Sequence, residues 1–103
     1  MQVGLALLAG LAAVAPSTVL AEVVHTVAMD GTRFLPESIT VRRGERIVWL
    51  NKDPFPHTAT APGTFDSKPV AAGESWSYVA RHAGEFEYVC TLHPGMKARL
   101  IVR

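Results

Sequence analysis

Short runs of β-forming residues, separated by glycine, proline and aspartate, recur along the chain from residue 22 onward. No window there shows apolar residues recurring with the 3.6-residue period of a helix. Runs of this kind, bounded by turn residues, are typical of strands. Seven of them in about 80 residues favour an all-β fold, an antiparallel sandwich or Greek-key barrel of seven to eight strands. The predicted strands are 23–29, 38–42, 46–50, 57–61, 75–80, 85–90 and 97–103.

Two of the predicted strands carry aromatic residues at alternating positions. Phe86, Tyr88 and Cys90 share one face of their strand, and Trp76 and Tyr78 share one face of the strand before it. We expect these two faces to meet in a single core. Cys90 then ends an inward-facing row, at the point where its strand leaves the sandwich.

The first 21 residues contain no charged side chain, so all 19 charged residues lie in the other 82. The apolar stretch 3–15 has the length of the hydrophobic part of a signal peptide and is short for a membrane span. We therefore predict a signal peptide over residues 1–21, cleaved after Ala21, and one domain over 22–103 in the periplasm or otherwise exported. No Lys or Arg precedes the apolar stretch, and the alternative is an uncleaved anchor that holds the same domain at a membrane.

Composition excludes several other classes of protein. Ten Lys and Arg against nine Asp and Glu give a net charge of +1, which provides no electrostatic reason to expect nucleic acid. A single cysteine cannot form an internal disulfide. A hydrophobic content of 49% with little net charge disfavours disorder. At this length we expect one core and a monomer, with no membrane span in the mature domain.

The segment from Cys90 to Met96 concentrates residues that bind metals. It places a thiol, an imidazole and a thioether at three-residue offsets, on Cys90, His93 and Met96, in a short loop between two predicted strands. Thiolate and thioether are soft ligands and imidazole is borderline, so the set favours copper. His57, which follows a proline-rich turn, is the best candidate for a third strong ligand. Two histidines, a cysteine and a weak axial methionine form the ligand set of blue-copper electron-transfer sites.

Each of these four residues has an ordinary structural explanation when it is taken singly, as a buried sulfur residue or as a surface or loop histidine. Their combination has few explanations other than a bound metal. The other two histidines, His25 and His82, have no ligand partners at suitable spacing, and we predict that they bind no metal. The four histidines form no His-x-His pair from which a second copper centre is commonly built, so we predict no enzyme activity.

Two segments resemble a known family. Residues 84–96, GEFEYVCTLHPGM, are similar to the C-terminal signature of the cupredoxins, within them to amicyanin and plastocyanin-like proteins. Residues 48–58, VWLNKDPFPHT, resemble the first-ligand region of the same family. The resemblance covers roughly residues 22–103, although Leu92 and Gly95 stand where amicyanin usually has Pro and Phe.

The resemblance implies roles for individual residues. One copper ion would be bound by the imidazoles of His57 and His93 and the thiolate of Cys90, with Met96 axial. Asn51 would tie the loop of His57 to the loop of Cys90 by hydrogen bonds. The ring edge of His93 would lie at the surface, where Leu92, Pro94 and Phe55 could form an apolar patch on which redox donor and acceptor proteins dock weakly. The alternative is that Leu92 and Phe55 simply cover the site from water.

The ligand set predicts a type 1 copper protein that cycles between Cu(II) and Cu(I) and carries electrons between exported partners. The alternative is copper delivery or sequestration in the periplasm. Copper carriers often add methionine-rich or histidine-rich tracts. No such tract occurs in this sequence, which favours the electron carrier.

Overall fold

A computed structural model of the chain describes Val14 and residues 21–103. The predicted signal peptide therefore lies almost wholly outside the described residues. The described part contains strands and no helix, which confirms the all-β prediction, and it contains no helix of the length and apolar character needed to cross a membrane. The strands are β1 (Val24–Met29), β2 (Phe34–Leu35), β3 (Ser38–Val41), β4 (Arg46–Asn51), β5 (Thr60–Ala61), β6 (Phe65–Asp66), β7 (Ser75–Val79), β8 (Gly84–Val89) and β9 (Lys97–Val102).

Nine strands occur in the described residues, where seven to eight were expected. The additional ones, β2 and β6, have two residues each, which is too short for an alternating pattern to be recognised in the sequence. Of the strand predicted over 57–61, only Thr60–Ala61 forms a strand, which is β5. His57 forms an isolated bridge with Val70.

The strands form two sheets, with the orders β2-β1-β4-β7 and β3-β9-β8-β5-β6. Two pairs are parallel, β1 with β4 and β3 with β9, and the other five pairs are antiparallel, so the predicted sandwich is mainly antiparallel. After β1 and β2 the chain crosses to the second sheet for β3 and returns to the first for β4. A connection that leaves a sheet and returns to it is the kind that parallel neighbours require.

The core lies between the two sheets and is rich in aromatic residues. Trp49 of β4 is fully buried, and its ring centroid lies 5.3, 5.6 and 5.5 Å from those of Phe65, Trp76 and Tyr88. Phe65 also packs against Tyr78 at 4.8 Å. The aromatic faces of β7 and β8 thus meet in one hydrophobic cluster, as their alternation predicts.

Two buried side-chain polar atoms in this core, the Tyr88 hydroxyl and the indole N–H of Trp49, have no hydrogen-bond partner among the described residues. Burial raises the pKa of Tyr88 to about 12, against an opposing effect of the nearby indole of Trp49. The phenol is therefore held in its neutral form at the centre of the sandwich.

Three loops meet at one end of the sandwich. They are the turn 30–33 between β1 and β2, the segment 52–59 after β4, called here the His57 loop, and the segment 90–96 between β8 and β9, called the ligand loop. Hydrogen bonds join the first of these loops to the second and the second to the third. This end of the fold positions the candidate site.

Candidate metal centre

Three of the predicted ligands lie together where the His57 loop meets the ligand loop. The Cys90 Sγ atom is 3.7 Å from His57 Nδ1 and 3.5 Å from His93 Nδ1, and the two Nδ1 atoms are 3.1 Å apart. Metal bonds to imidazole nitrogen and thiolate sulfur are about 2.0 and 2.3 Å in zinc proteins. Three donors with this spacing can therefore surround one ion of similar size, so the residues present fit a bound metal.

The ligand loop is closed by its own backbone. The N–H of Cys90 donates to the carbonyl of Met96 at 3.0 Å, and the N–H of Met96 donates to the carbonyl of His93 at 3.1 Å. Gly95 adopts a φ of 90°, a conformation that residues with a side chain rarely take. These features keep the main chain of Met96 beside that of Cys90, and the Met96 side chain is buried.

Burial differs among the three clustered side chains. His57 is fully buried and Cys90 is 3% exposed, whereas His93 is only partly buried. His93 therefore connects the cluster to the protein surface.

Thr58 connects the two loops that carry the ligands. Its backbone N–H lies 3.3 Å from Cys90 Sγ, and its hydroxyl oxygen accepts the N–H of Thr91 at 2.9 Å. The hydroxyl of Thr60 donates to the same oxygen at 2.9 Å. This role of Thr58 was not predicted from the sequence. Its position directly after His57 is the one feature of the sequence that could have indicated it.

Asn51 was expected to make that connection, and the structure corrects this. The fully buried Asn51 amide donates to the carbonyls of Phe55 at 2.8 Å and Val70 at 2.9 Å, and its oxygen accepts the N–H of Asp53 at 2.9 Å. Both N–H donors are used in this way, so Asn51 shapes the His57 loop and does not reach the ligand loop.

Asp53 is a second residue that sequence reasoning missed. Its carboxylate is 8% exposed and lies 2.7 Å from Nε2 of His57. It also accepts the backbone N–H groups of Gly31 and Thr32, each at 2.8 Å. Burial raises the pKa of the Asp53 carboxyl, but the hydrogen bonds from His57, Thr32 and Gly31 outweigh it and hold that pKa below its usual range.

The other two histidines lie outside the cluster. His25 is in β1, where its Nε2 is 2.8 Å from a Glu45 carboxylate oxygen, and His82 is exposed in the turn before β8. The backbone N–H of Arg42 and the His25 ring hold the pKa of Glu45 below its usual value. His25 thus has a structural partner of its own.

Exposed apolar side chains occur in the two loops that carry the cluster. Phe55 is 39% exposed and Leu92 48% exposed, and Pro94 is also exposed. The Phe55 ring lies 5.2 Å from the ring of His57 and 5.3 Å from that of His93. The one partly exposed imidazole of the cluster, that of His93, therefore has an aromatic neighbour at the surface.

The sequence matches the cupredoxin-like domain family over residues 4–102. It is 26% identical to amicyanin from Paracoccus versutus over 82 residues, which cover 74% of this chain and 62% of that protein. It is 31% identical to plastocyanin from Scenedesmus fuscus over 84 residues, 68% of this chain and 86% of that protein. The chain spans 62% and 64% of the length of the two amicyanins it matches.

Solved structures show the same fold. A copper-containing nitrite reductase from Thermus scotoductus SA-01 superposes with a TM-score of 0.77 at 25% identity, over 84% of this chain and 24% of that one. The Cu(I) form of an amicyanin variant superposes with a TM-score of 0.75 at 20% identity, over 82% of this chain and 86% of that one. The predicted Greek-key sandwich of the cupredoxins is therefore confirmed.

Two imidazole nitrogens and a thiolate suit copper, as the sequence predicts. The family match and the single cluster found among the described residues support the same cofactor, one copper ion.

Proposed function

Since the chain belongs to the cupredoxin-like domain family, we propose that it is a type 1 copper protein that carries single electrons. The observation that supports this most directly is the cluster of His57 Nδ1, Cys90 Sγ and His93 Nδ1, with separations of 3.1 to 3.7 Å. The buried Met96 would be the weak axial ligand. Copper, when bound, supplies the one-electron chemistry by alternating between Cu(II) and Cu(I).

The chain contributes a site in which the ligands are held in place. His57 is fixed by Asp53 on one side of its ring, and the Cys90 sulfur receives the N–H of Thr58. Ligands anchored in this way can keep one geometry for both charge states of the ion, which lowers the barrier to electron transfer. Partners in the surroundings of the ligands also tune the metal.

His93 would provide the route for electrons to and from the surface, because it is the partly exposed member of the cluster. Leu92, Pro94 and Phe55 would form the apolar surface on which donor and acceptor proteins dock. Weak redox encounters bury small interfaces, typically below about 1,200 Å². An interface of this size suits a carrier that exchanges partners quickly.

Copper delivery is the less favoured function. A delivery protein must pass its ion to the ligands of a partner, which requires access to its own ligands. Here His57 and Cys90 are buried and hydrogen-bonded. We also infer a carrier rather than an enzyme, because no His-x-His pair is present for a second copper centre.

We further propose that the carrier works in the periplasm or in another exported compartment. The support is the uncharged segment 1–21, with its apolar stretch and with the aliphatic Val19 and the small Ala21 at positions −3 and −1 of the proposed cleavage site.

A visible absorption and EPR spectrum of the Cu(II)-loaded protein tests the class of site. We expect an intense blue colour from thiolate-to-copper charge transfer, and a colourless copper complex overturns the proposal. Cys90→Ser should abolish the colour, since an alcohol is a poor substitute for a thiolate. His93→Gln should change the spectrum, whereas the control His82→Gln, at an exposed histidine outside the cluster, should not.

Voltammetry separates the carrier from a delivery protein. A carrier gives a reversible one-electron wave and keeps its copper when it is challenged with a chelator. Poor cycling together with rapid loss of copper to the chelator would favour delivery.

A further inference from the structure

We propose that Asp53 is a positioning residue for His57 and that its carboxylate lowers the reduction potential of the copper site. This inference rests on the proposed function, since it concerns the same site. It assigns a role to a residue that is neither in the predicted ligand set nor in the three-residue cluster.

The two ring nitrogens of His57 have different partners. Nε2 lies 2.7 Å from the Asp53 carboxylate, while Nδ1 faces Cys90 Sγ at 3.7 Å. A carboxylate accepts hydrogen bonds and cannot donate them, so Nε2 carries a proton, and in the neutral ring Nδ1 then keeps its lone pair. Asp53 therefore selects the tautomer in which Nδ1 can bind a metal.

The short contact between the two imidazoles agrees with this assignment. His57 Nδ1 and His93 Nδ1 are 3.1 Å apart. If Asp53 holds the proton of His57 on Nε2, His93 is the donor in this contact whenever no metal lies between the rings. One carboxylate then determines the proton arrangement of both histidines.

The Asp53 carboxylate also places a negative charge near the site. The two Asp53 oxygens accept three N–H groups, from Gly31, Thr32 and His57. A carboxylate that receives only donors is favoured in its ionised form. Because it is buried and one ring away from the site, its negative charge is poorly screened by solvent. It should stabilise Cu(II) more than Cu(I), and it should make the His57 ring a stronger donor.

Two variants of Asp53 and one control separate the effects. Asp53→Asn removes the charge and keeps the shape and one acceptor oxygen, whereas Asp53→Ala removes both the charge and the acceptor. Asp30→Asn is the matched control. Asp30 is exposed at the same end of the fold, and its side chain forms no hydrogen bond with any of the described residues.

The tautomer is measured without copper, from the ¹⁵N shifts of the His57 ring in the metal-free full chain. We expect a proton on Nε2 in the parent protein and in Asp53→Asn, and a mixture of tautomers in Asp53→Ala. An unchanged tautomer in folded Asp53→Ala would overturn the positioning role. If Asp53→Ala does not fold, a parent ring protonated on Nδ1 would overturn it equally.

The charge effect is measured as the reduction potential of the copper-loaded proteins. We expect Asp53→Asn to raise the potential, with a change of about tenfold in the ratio of Cu(II) to Cu(I) affinity, which is 59 mV for a one-electron couple. Asp30→Asn should leave the potential near that of the parent. Equal potentials in Asp53→Asn and the parent would overturn the charge effect.

Failure of the proposed function gives a different result. A colourless Cu(II) complex of the parent would refute the type 1 site and leave the tautomer measurement on the metal-free chain intact. A blue parent whose potential and His57 tautomer do not respond to Asp53 would refute this inference alone.

Discussion

The backbone N–H of Thr58 lies 3.3 Å from the sulfur of Cys90, although the two residues come from different loops. The hydroxyl oxygen of Thr58 accepts a further N–H from Thr91 and the hydroxyl proton of Thr60. One residue next to His57 therefore fixes the distance between the His57 loop and the ligand loop. The separation of His57 from Cys90, two of the proposed ligands, therefore depends on this contact.

Replacing Thr58 by valine should destabilise the protein and keep the site. Thr58 is buried, so Thr58→Val preserves its shape but leaves the Thr91 N–H without its acceptor, whereas the Thr60 hydroxyl can still donate to Asp66 Oδ1 at 3.1 Å. An unsatisfied buried group costs about 1–3 kcal/mol. We expect a loss of this size in the free energy of unfolding, measured with urea, and a retained blue colour because the backbone N–H remains.

Thr40→Val is the matched control for this experiment. Thr40 is exposed on β3, and surface substitutions of this kind usually change the free energy of unfolding by less than about 0.5 kcal/mol. Equal effects of the two substitutions would show that the Thr58 hydroxyl does not hold the loops together.

The sequence was sufficient to find the residues that now cluster, for reasons that can be named. Cys90 and His93 lie within one short loop, so their association is local. The aromatic faces of β7 and β8 follow from side-chain alternation, which a sequence displays directly. His57 was identified by its chemistry, as the imidazole that a copper site with one loop cysteine and histidine still lacks.

The partners of these ligands could not be found in the same way. Thr58 and Asp53 act through contacts between loops, and these depend on which loops the two sheets bring to one end. Asn51 illustrates the limit. The family resemblance implied that Asn51 connects the His57 loop to the ligand loop. In the structure, its side-chain N–H groups donate to the carbonyls of Phe55 and Val70 instead. The parallel pairing of β1 with β4 likewise depends on a crossing between sheets that no local pattern encodes.

Replacing Met96 by leucine tests the axial role of the thioether. Met96→Leu keeps an apolar side chain of similar volume at a buried position but removes a donor atom. Cu(II), the more electron-poor state, should lose more stabilisation than Cu(I), so the potential should rise. We expect a change of about tenfold in the ratio of Cu(II) to Cu(I) affinity, which raises the reduction potential by about 59 mV. Copper and the blue colour should be retained.

Met29→Leu is the control for the methionine substitution itself, because Met29 is fully buried in the core. It should leave the potential unchanged. Complete loss of copper binding in Met96→Leu, with normal binding in Met29→Leu, would mean that Met96 is more than a weak axial ligand.

Placing a charge on the proposed docking patch tests its role in electron transfer. Leu92→Asp puts a carboxylate beside His93 at a position that is 48% exposed. In self-exchange between Cu(I) and Cu(II) copies of the protein, two such carboxylates would face each other, and like charges oppose a close encounter. We expect the self-exchange rate, measured by NMR line broadening, to fall by about tenfold, which corresponds to about 1.4 kcal/mol.

Val23→Asp is matched to this variant, because Val23 is also 48% exposed and precedes β1 at the end where Val24 pairs with Arg46, away from the Met29–Asn51 end. It adds the same charge and should have little effect on the rate. Equal self-exchange rates for Leu92→Asp and the parent would show that the apolar patch has no part in electron transfer.

Replacing Tyr88 by phenylalanine should make the protein less sensitive to alkaline pH. The Tyr88 hydroxyl is buried without a hydrogen-bond partner, and its pKa is raised to about 12 from the 10.0 of an ordinary tyrosine. Since the folded pKa is the higher one, the native state is unaffected below pH 10 and loses stability as the pH rises from 10 through 12. At pH 11 this loss is about 1.4 kcal/mol, and phenylalanine has no proton to lose.

Urea unfolding of the parent and of Tyr88→Phe, in the same metal state at pH 8 and pH 11, measures this difference. At pH 8 the variant should be at least as stable as the parent, because it removes a buried polar group that has no partner. At pH 11 its advantage should be larger by about 1.4 kcal/mol. The comparison at two pH values cancels the titration of all other groups, which the two proteins share. An advantage that is the same at both values would show that the Tyr88 phenol ionises as easily in the folded protein as in the unfolded chain.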